Sequence, residues 1–143
     1  MFERYTEHAR RVLFFARYDL SHIGGRAITT EHLLLGLLRE PIGVVGRVLA
    51  TSNIPVPDLR RQLEEHMRHE DTVPTSAEVA FTEAAKRVLN VAAEEADCLS
   101  HKDIESEHLL LGLLRETDSF AAAAPRRRDQ PPRQSHQRLA FGP

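Results

Sequence analysis

Two threonines and two glutamates in this chain have side chains that could bind a ligand. Thr6 and Glu31 recur 76 positions later as Thr82 and Glu107. A carboxylate accepts hydrogen bonds from a cationic group, while hydroxyls and helix N-terminal amides can hold an anion. A structural role is also open, since threonine caps helices and the helix dipole favours glutamate in a first turn.

Motifs for catalysis are missing from the sequence. It contains no G-x-x-x-x-G-K-[ST] phosphate loop, no H-E-x-x-H, no cysteine pair and no G-x-S-x-G elbow. His66, His69 and Glu70 lie close together near a predicted helix end, and we interpret them as solvated surface. The single Cys98 is predicted to be a small buried filler. We therefore predict a protein that is not an enzyme and has no catalytic residue, cofactor or metal site.

The elements that would position these residues come from a tandem duplication. The string EHLLLGLLRE occurs at Glu31–Glu40 and again at Glu107–Glu116. Aligning Tyr5–Glu40 with Phe81–Glu116 gives 18 identities in 36 positions. The chain is therefore expected to contain two copies of one helical unit.

Each copy is predicted to begin with two helices. An apolar stripe of helical period starts at Tyr5 and is repeated from Phe81, with Thr6 and Thr82 as N-caps. The leucine-rich strings form a second, buried helix in each copy, at Thr30–Arg39 and Ser106–Arg115; we call these the spine helices. Gly36 and Gly112 lie in their middles, where glycine costs about 1 kcal/mol relative to alanine. Their repetition indicates that a neighbouring helix passes too close for a side chain.

The first copy continues while the second does not. A third helix is predicted near Val44–Ala50 and a fourth from an Asp58 N-cap to about His69. Pro125 falls where the third helix of the second copy should run, and an arginine-rich tail replaces the fourth. The second spine helix is therefore expected to lose part of its apolar cover.

These features predict an all-α fold, a tandem pseudo-twofold repeat of a four-helix unit whose second repeat is truncated. We place the first repeat at 1–70, a linker at 71–80, the incomplete second repeat at 81–124 and a disordered basic tail at 125–143. The tail has five arginines and one acid within a chain of net charge −2. No secretory signal or membrane-spanning run is evident, so we expect a cytoplasmic protein.

The order T-E-x-A-x-R-V-L, a turn, then [ST]-E-H-L-L-L-G-L-L-R-E, repeated once, resembles the Clp repeat (Clp R) N-terminal domain. This domain begins the Hsp100/Clp AAA+ unfoldases, and the opening Met-Phe-Glu-Arg-Tyr-Thr-Glu is similar to the ClpC type. The resemblance covers about residues 1–124. Our leading hypothesis is a short, stand-alone chain of this kind.

The resemblance also implies two sites. Thr6, Glu31, Thr82 and Glu107 match residues of two phosphoarginine-binding pockets in ClpC-type relatives. Phe2, Phe81 and Lys86 match a groove that, in actinobacterial relatives, receives cyclic-peptide antibiotics and adaptor proteins. Phe2 is expected to be exposed, and Phe81 at least half buried.

We thus predict a non-catalytic protein-binding module of the Clp proteolytic and chaperone system. It would recognise substrates, adaptors or phosphoarginine-marked proteins, and could contact a Clp ATPase or protease complex. The alternatives are an N-terminal fragment of an ATP-dependent, ClpC-type ATP-binding subunit whose ATPase modules are absent, and a structural accessory of the protease. We predict no nucleic-acid or membrane partner, and weak self-association through the incomplete second repeat.

Overall fold

A computed structural model describes residues 2–51, 53–67, 74 and 78–116. These residues form six helices: α1 Glu7–Ile23, α2 Thr30–Arg39, α3 Gly43–Ala50, α4 Val56–Met67, α5 Glu83–Cys98 and α6 Ser106–Arg115. The all-α fold class is confirmed. The predicted truncation of the second repeat and the basic tail lie outside the described residues, as does most of the linker.

The two spine helices begin and end where the sequence predicts. Thr29 caps α2 and Glu105 occupies the same position before α6. Leucines at 33–35, 37 and 38, and again at 109–111, 113 and 114, are almost completely buried. Each spine helix packs against the first helix of its own repeat, and α2 also contacts α6. The core therefore runs through both repeats.

Gly36 and Gly112 confirm the predicted close approach. A Cβ added to Gly36 would lie 2.4 Å from the Val12 carbonyl oxygen, and one added to Gly112 would lie 2.5 Å from that of Val88. Because the obstacle is backbone, it has little freedom to move aside. The absent side chains let α1 and α5 sit directly on their spine helices.

Two ion pairs recur in both repeats and tie the same helices together. Arg11 and Arg87 each place Nε 2.8 Å from the carboxylate that follows the spine helix, Glu40 and Glu116 respectively. Arg39 contacts the buried Asp19 at 2.6 Å, and Arg115 contacts Glu95 at 2.9 Å. The duplication has thus kept polar as well as apolar contacts.

The start of α4 differs from the prediction. The helix begins at Val56, so Asp58 lies within its first turn and is not the N-cap. Pro57 is tolerated there because a first-turn residue has no intrahelical partner for its N–H. The predicted inner stripe of Leu59, Leu63 and Met67 is confirmed as buried. The extension to His69 lies outside the described residues.

The second spine helix receives part of its cover from the first repeat. Helices α1, α2 and α3 all contact α6 in addition to α5. The leucines of α6 are buried to the same degree as those of α2. The expected loss of apolar cover on this helix is therefore not found among the described residues, where three helices of the first repeat contact it.

Candidate functional site

The segments before the helices pair across the two repeats. Ile28, before α2, forms a parallel bridge with Phe81, before α5, and Tyr5 forms the same bridge with Ile104. Thr82 donates its N–H to the Ile28 carbonyl at 3.0 Å, and Thr6 donates to that of Ile104 at 3.1 Å. Each threonine is therefore held beside the spine helix of the other repeat.

Because these segments cross between the repeats, each threonine meets a residue of the other repeat and not the glutamate of its own. Thr82, not Thr6, lines an open cavity of about 430 Å³ together with Glu31. Thr6 instead contacts Glu105, at the start of α6. We call the first of these the Glu31 cavity; it is lined by Gly25, Arg26, Ala27, Thr29, Glu31, His32, His66, Met67 and Thr82.

Glu31 lies in the first turn of α2, and its side chain is 17% exposed. Its Oε1 accepts a hydrogen bond from the Thr30 hydroxyl at 3.3 Å. Its Oε2 lies 3.7 Å from Nε2 of His66, near the end of α4. The carboxylate is thus held at the cavity wall and remains reachable by a cation.

Thr82 brings a hydroxyl to the same cavity. Its oxygen accepts from the Ala85 N–H at 3.2 Å, as the N-cap of α5. Among the described residues this hydroxyl makes that one hydrogen bond, as an acceptor, and it can still donate its proton to a ligand. The predicted capping role of Thr82 is therefore confirmed, and it is compatible with a ligand contact.

The corresponding place in the second repeat is chemically different. Thr6 also caps its helix, accepting from Ala9 N–H, but its hydroxyl donates to Glu105 Oε1 at 3.1 Å. Glu105 stands where the first repeat has the neutral Thr29. The second site therefore has an additional carboxylate beside Glu107 and a hydroxyl whose proton is already used.

Two histidines that sequence reasoning passed over fix the starts of the spine helices. His32 Nδ1 accepts from the Thr29 N–H at 3.0 Å, and His108 Nδ1 accepts from that of Glu105 at 2.8 Å. Because Nδ1 is an acceptor, each neutral ring carries its proton on Nε2. The signal was present in the sequence, since histidine follows glutamate in both copies of the string at the capping-box position.

His108 meets a second histidine. Its Nε2 lies 3.0 Å from Nδ1 of the exposed His101, where the first repeat has Gly25. Burial lowers the pKa of His108 below 6.5, while the charge of Glu107 opposes that shift. His101, Glu107 and His108 offer donor atoms within 4.8 Å of one another. A metal ion there would need the Nε2 electron pair that the His108 proton occupies, so the hydrogen bonding does not fit a metal site.

Of the remaining candidates, His66 is exposed, as the sequence predicts, and it also lines the Glu31 cavity. His69 and Glu70 lie outside the described residues. Cys98 is exposed at the last residue of α5 and is not a buried filler. The helix ends there, so the inner stripe stops at Ala96.

A second concavity, of about 550 Å³, lies on α1 and the segment before α5. We call it the Phe2 groove; it is lined by Phe2, Arg10, Leu13, Phe14, Arg17, Ile28, Glu78, Val79 and Phe81. The rings of Phe2 and Phe81 are 6.3 Å apart, and Phe2 also lies edge-on to Tyr5 at 5.0 Å.

Of the three residues that the sequence predicts for the groove, two line it and one does not. Phe2 is half-buried against the core and not freely exposed, and Phe81 is partly buried as expected. Lys86 is absent from the groove lining and pairs with Glu83 at 3.2 Å. Phe14, which sequence reasoning missed, is 64% exposed at the groove edge.

Fold and cavities together define a helical tandem-repeat domain with an open polar cavity and an aromatic groove. Comparison with known families assigns residues 4–126 to the family described as "Clp repeat (R) N-terminal domain". The chain belongs to this family.

Relatives of this family place the chain near the ClpC type. It is 42% identical over 122 residues to the chloroplastic chaperone protein ClpC2 of Oryza sativa and equally to ClpC1 of Arabidopsis thaliana. These alignments cover 85% of this chain and 13% of each relative. The chain thus spans about an eighth of the length of these relatives.

Solved structures agree on the fold. The N-terminal domain of the Arabidopsis chaperone ClpD superposes with a TM-score of 0.69 at 29% identity, covering 90% of this chain and 88% of that one. A complex of the ClpV N-domain with a VipB peptide superposes with a TM-score of 0.71 at 20% identity, covering 96% of this chain and 86% of that one.

Proposed function

We propose that this chain is a non-catalytic binding module of a Clp chaperone-protease system and that its Glu31 cavity captures phosphorylated arginine on client proteins. The observation that carries the proposal is the meeting of Glu31, Thr82 and the start of α2 in one open cavity. The ClpC-type relationship supports it.

The three components match the two halves of such a ligand. The Glu31 carboxylate can accept paired hydrogen bonds from the guanidinium group. The Thr82 hydroxyl, the N-terminal amides of α2 and the Arg26 side chain are suited to a phosphate. A cavity of about 430 Å³ is within the usual range for small ligands and would hold a single modified side chain.

The same reasoning makes the two sites unequal. In the second repeat the Glu105 carboxylate accepts the Thr6 hydroxyl proton and adds negative charge where the phosphate would lie. A phosphorylated ligand should therefore favour the Glu31 cavity. We propose Glu107 and Thr6 as a weaker second site.

Calorimetric titration with a phosphoarginine peptide at pH 7.5 tests this proposal. Glu31→Gln should weaken binding by about tenfold or more, because the charge-assisted hydrogen bonds to the guanidinium lose their acceptor charge. Thr82→Val, which keeps the side-chain shape without the hydroxyl, should also weaken it.

Glu107→Gln is the matched control, since it makes the same change at the corresponding position. It should alter the main binding event by less than about threefold. Equal losses in Glu31→Gln and Glu107→Gln would contradict the asymmetry. Unchanged affinity in Glu31→Gln would remove the phosphoarginine function from this cavity.

The Phe2 groove favours a second binding function, the docking of adaptor proteins or cyclic peptides. Its floor combines the aromatic rings of Phe2 and Phe81, and Phe14 leaves a large apolar surface in water. Aromatic anchors of this kind dominate the energetics of protein interfaces. Lys86 belongs to this proposal only through the family resemblance, since it does not line the groove.

The alternative reading places these sites in a longer protein. The chain matches the N-terminal domain of relatives named as ATP-binding subunits of the Clp protease, including one from Brassica napus. Under this reading the chain is the client-binding front of an ATPase subunit, and the energy for unfolding comes from other modules. In the part of the chain that the structure describes, none of the helices has the length and hydrophobicity of a membrane span. The cytoplasmic location and weak self-association stay predictions.

A further inference from the structure

We infer that His66 sets how strongly the Glu31 cavity prefers phosphorylated over unmodified arginine, and that protonation of His66 increases this preference. The inference rests on the proposed function, because it concerns the same cavity and the same ligand class. Its basis is the position of one side chain of α4 at the carboxylate that a guanidinium would need.

His66 is held at this place by the packing of its helix. Leu59, Leu63 and Met67 bury the inner face of α4 in the core, and α4 contacts α2. Met67 also lines the cavity, next to His66. The His66 ring remains 51% exposed with Nε2 3.7 Å from Glu31 Oε2. It is therefore fixed at the backbone and open to protons from solvent.

A protonated His66 would compete with an unmodified arginine for Glu31. The other Glu31 oxygen accepts from Thr30, so a charged imidazolium would be the ionic partner of this carboxylate in the empty cavity. A guanidinium entering the site must displace that partner, and it also meets a like charge at close range.

The balance of charges in the cavity affects a phosphorylated arginine differently. Among the described residues, the charged groups that line the cavity together with His66 are Glu31 from α2 and Arg26 from the preceding turn. His32, also in the lining, carries its Nε2 proton toward the Gly24 carbonyl at 3.4 Å. With His66 charged, the described lining holds the cations His66 and Arg26 and the acid Glu31, and the phosphate of the ligand is attracted to both cations. Protonation therefore weakens binding of arginine more than binding of phosphoarginine.

The test measures selectivity as the Kd of an arginine peptide divided by the Kd of the same peptide with phosphoarginine, at pH 6.0 and pH 8.0. Histidine changes its charge in this interval. We expect the selectivity of the unaltered protein to be about three- to fivefold higher at pH 6.0, the size typical of a partly exposed charge pair.

Two variants fix the charge at position 66, one as neutral and the other as positive. His66→Gln is neutral at both pH values and should show the low selectivity throughout, within about twofold. His66→Lys is charged at both and should keep the high selectivity throughout. His22→Gln is the matched control, because His22 is an exposed histidine of α1 outside the cavity lining. Its profile should follow that of the unaltered protein.

The outcomes separate this inference from the proposed function. A His66→Gln protein that keeps the pH-dependent selectivity would overturn the role of His66, while Glu31→Gln still loses affinity. Unchanged phosphoarginine affinity in Glu31→Gln would overturn both. Lower selectivity in His66→Lys than in His66→Gln would also contradict the inference, because it reverses the electrostatic sign.

Discussion

At the scale of residues, the exchange of Thr29 for Glu105 is one of several that distinguish two sites of common origin. Thr29 and Glu105 occupy equivalent positions before the spine helices, yet one is neutral and the other is a carboxylate that accepts the Thr6 hydroxyl proton. The identical Glu31 and Glu107 are thus placed in unlike surroundings. Duplication produced two sites with the same glutamate, and substitution at the cap position made their charge and hydrogen bonding different.

His108 adds a dependence of stability on pH. The pKa of His108 is lowered from 6.5 in the folded protein, mainly by burial. Between that lowered pKa and 6.5 the unfolded chain binds more protons than the folded one, so stability falls as the pH decreases through this window. A proton on Nδ1 of His108 would also face the Glu105 N–H, so the hydrogen bond between these two groups would be lost.

We therefore expect His108→Gln to reduce the pH dependence of unfolding. The substitution should lower stability at pH 7.5, because it replaces the buried ring that accepts from the Glu105 N–H and contacts His101, yet flatten the decline from pH 7 to pH 5. Urea denaturation followed by circular dichroism at several pH values measures both effects. Parallel pH profiles for the two proteins would show that His108 does not cause the decline.

At the scale of elements, each glycine of a spine helix determines how closely two helices pack. In an exposed helix alanine would be favoured over glycine by about 1 kcal/mol. Here the Cβ at Gly36 would come 2.4 Å from the Val12 carbonyl oxygen, which belongs to the backbone of α1. Tertiary packing therefore reverses the intrinsic preference.

Gly36→Ala should destabilise the protein by about 2–4 kcal/mol, since α1 must shift as a unit to admit the methyl group. Gly112→Ala should behave in the same way against Val88. Asn90→Ala, at an exposed position of α5, provides the control and should change stability by less than about 0.5 kcal/mol. Thermal or urea unfolding of the three variants gives the comparison, and a neutral Gly36→Ala would contradict the close approach.

At the scale of the whole molecule, the two repeats form one core. Tyr5 bridges to Ile104 and Ile28 bridges to Phe81, so each repeat supplies the segment that completes the other. The spine helices contact each other between these crossings. The Glu31 cavity exists because of this arrangement, since Thr82 reaches it from the second repeat.

A shared core predicts a single cooperative unfolding transition. Ile104→Ala removes a buried side chain of the second repeat and should cost about 2–5 kcal/mol. Hydrogen exchange should then show equal loss of protection in α2 and α6, because both are protected by the same global opening. The exposed Leu99→Ala is the control and should leave exchange nearly unchanged. Loss of protection confined to α6 would indicate that the repeats unfold separately.

Local interactions could be read from the sequence because they depend on neighbours in the chain. The spine helices, the threonine caps, the two tight glycines and the buried stripe of α4 follow from helical spacing and first-turn chemistry. The duplication itself also indicated which helices would be equivalent. The start of α4 was misplaced because Asp58 and Pro57 are both acceptable in a first turn, so the local signal did not choose between them.

The tertiary structure decided which repeat each site residue serves. Periodicity and capping describe one helix at a time, whereas the bridges joining Ile28 to Phe81 and Tyr5 to Ile104 connect segments far apart in the chain. These bridges place Thr82 in the same cavity as Glu31, and the packing of α4 places His66 beside the Glu31 carboxylate. The sequence by itself determined the helices and the chemistry available in them; the packing of one repeat against the other determined where that chemistry meets.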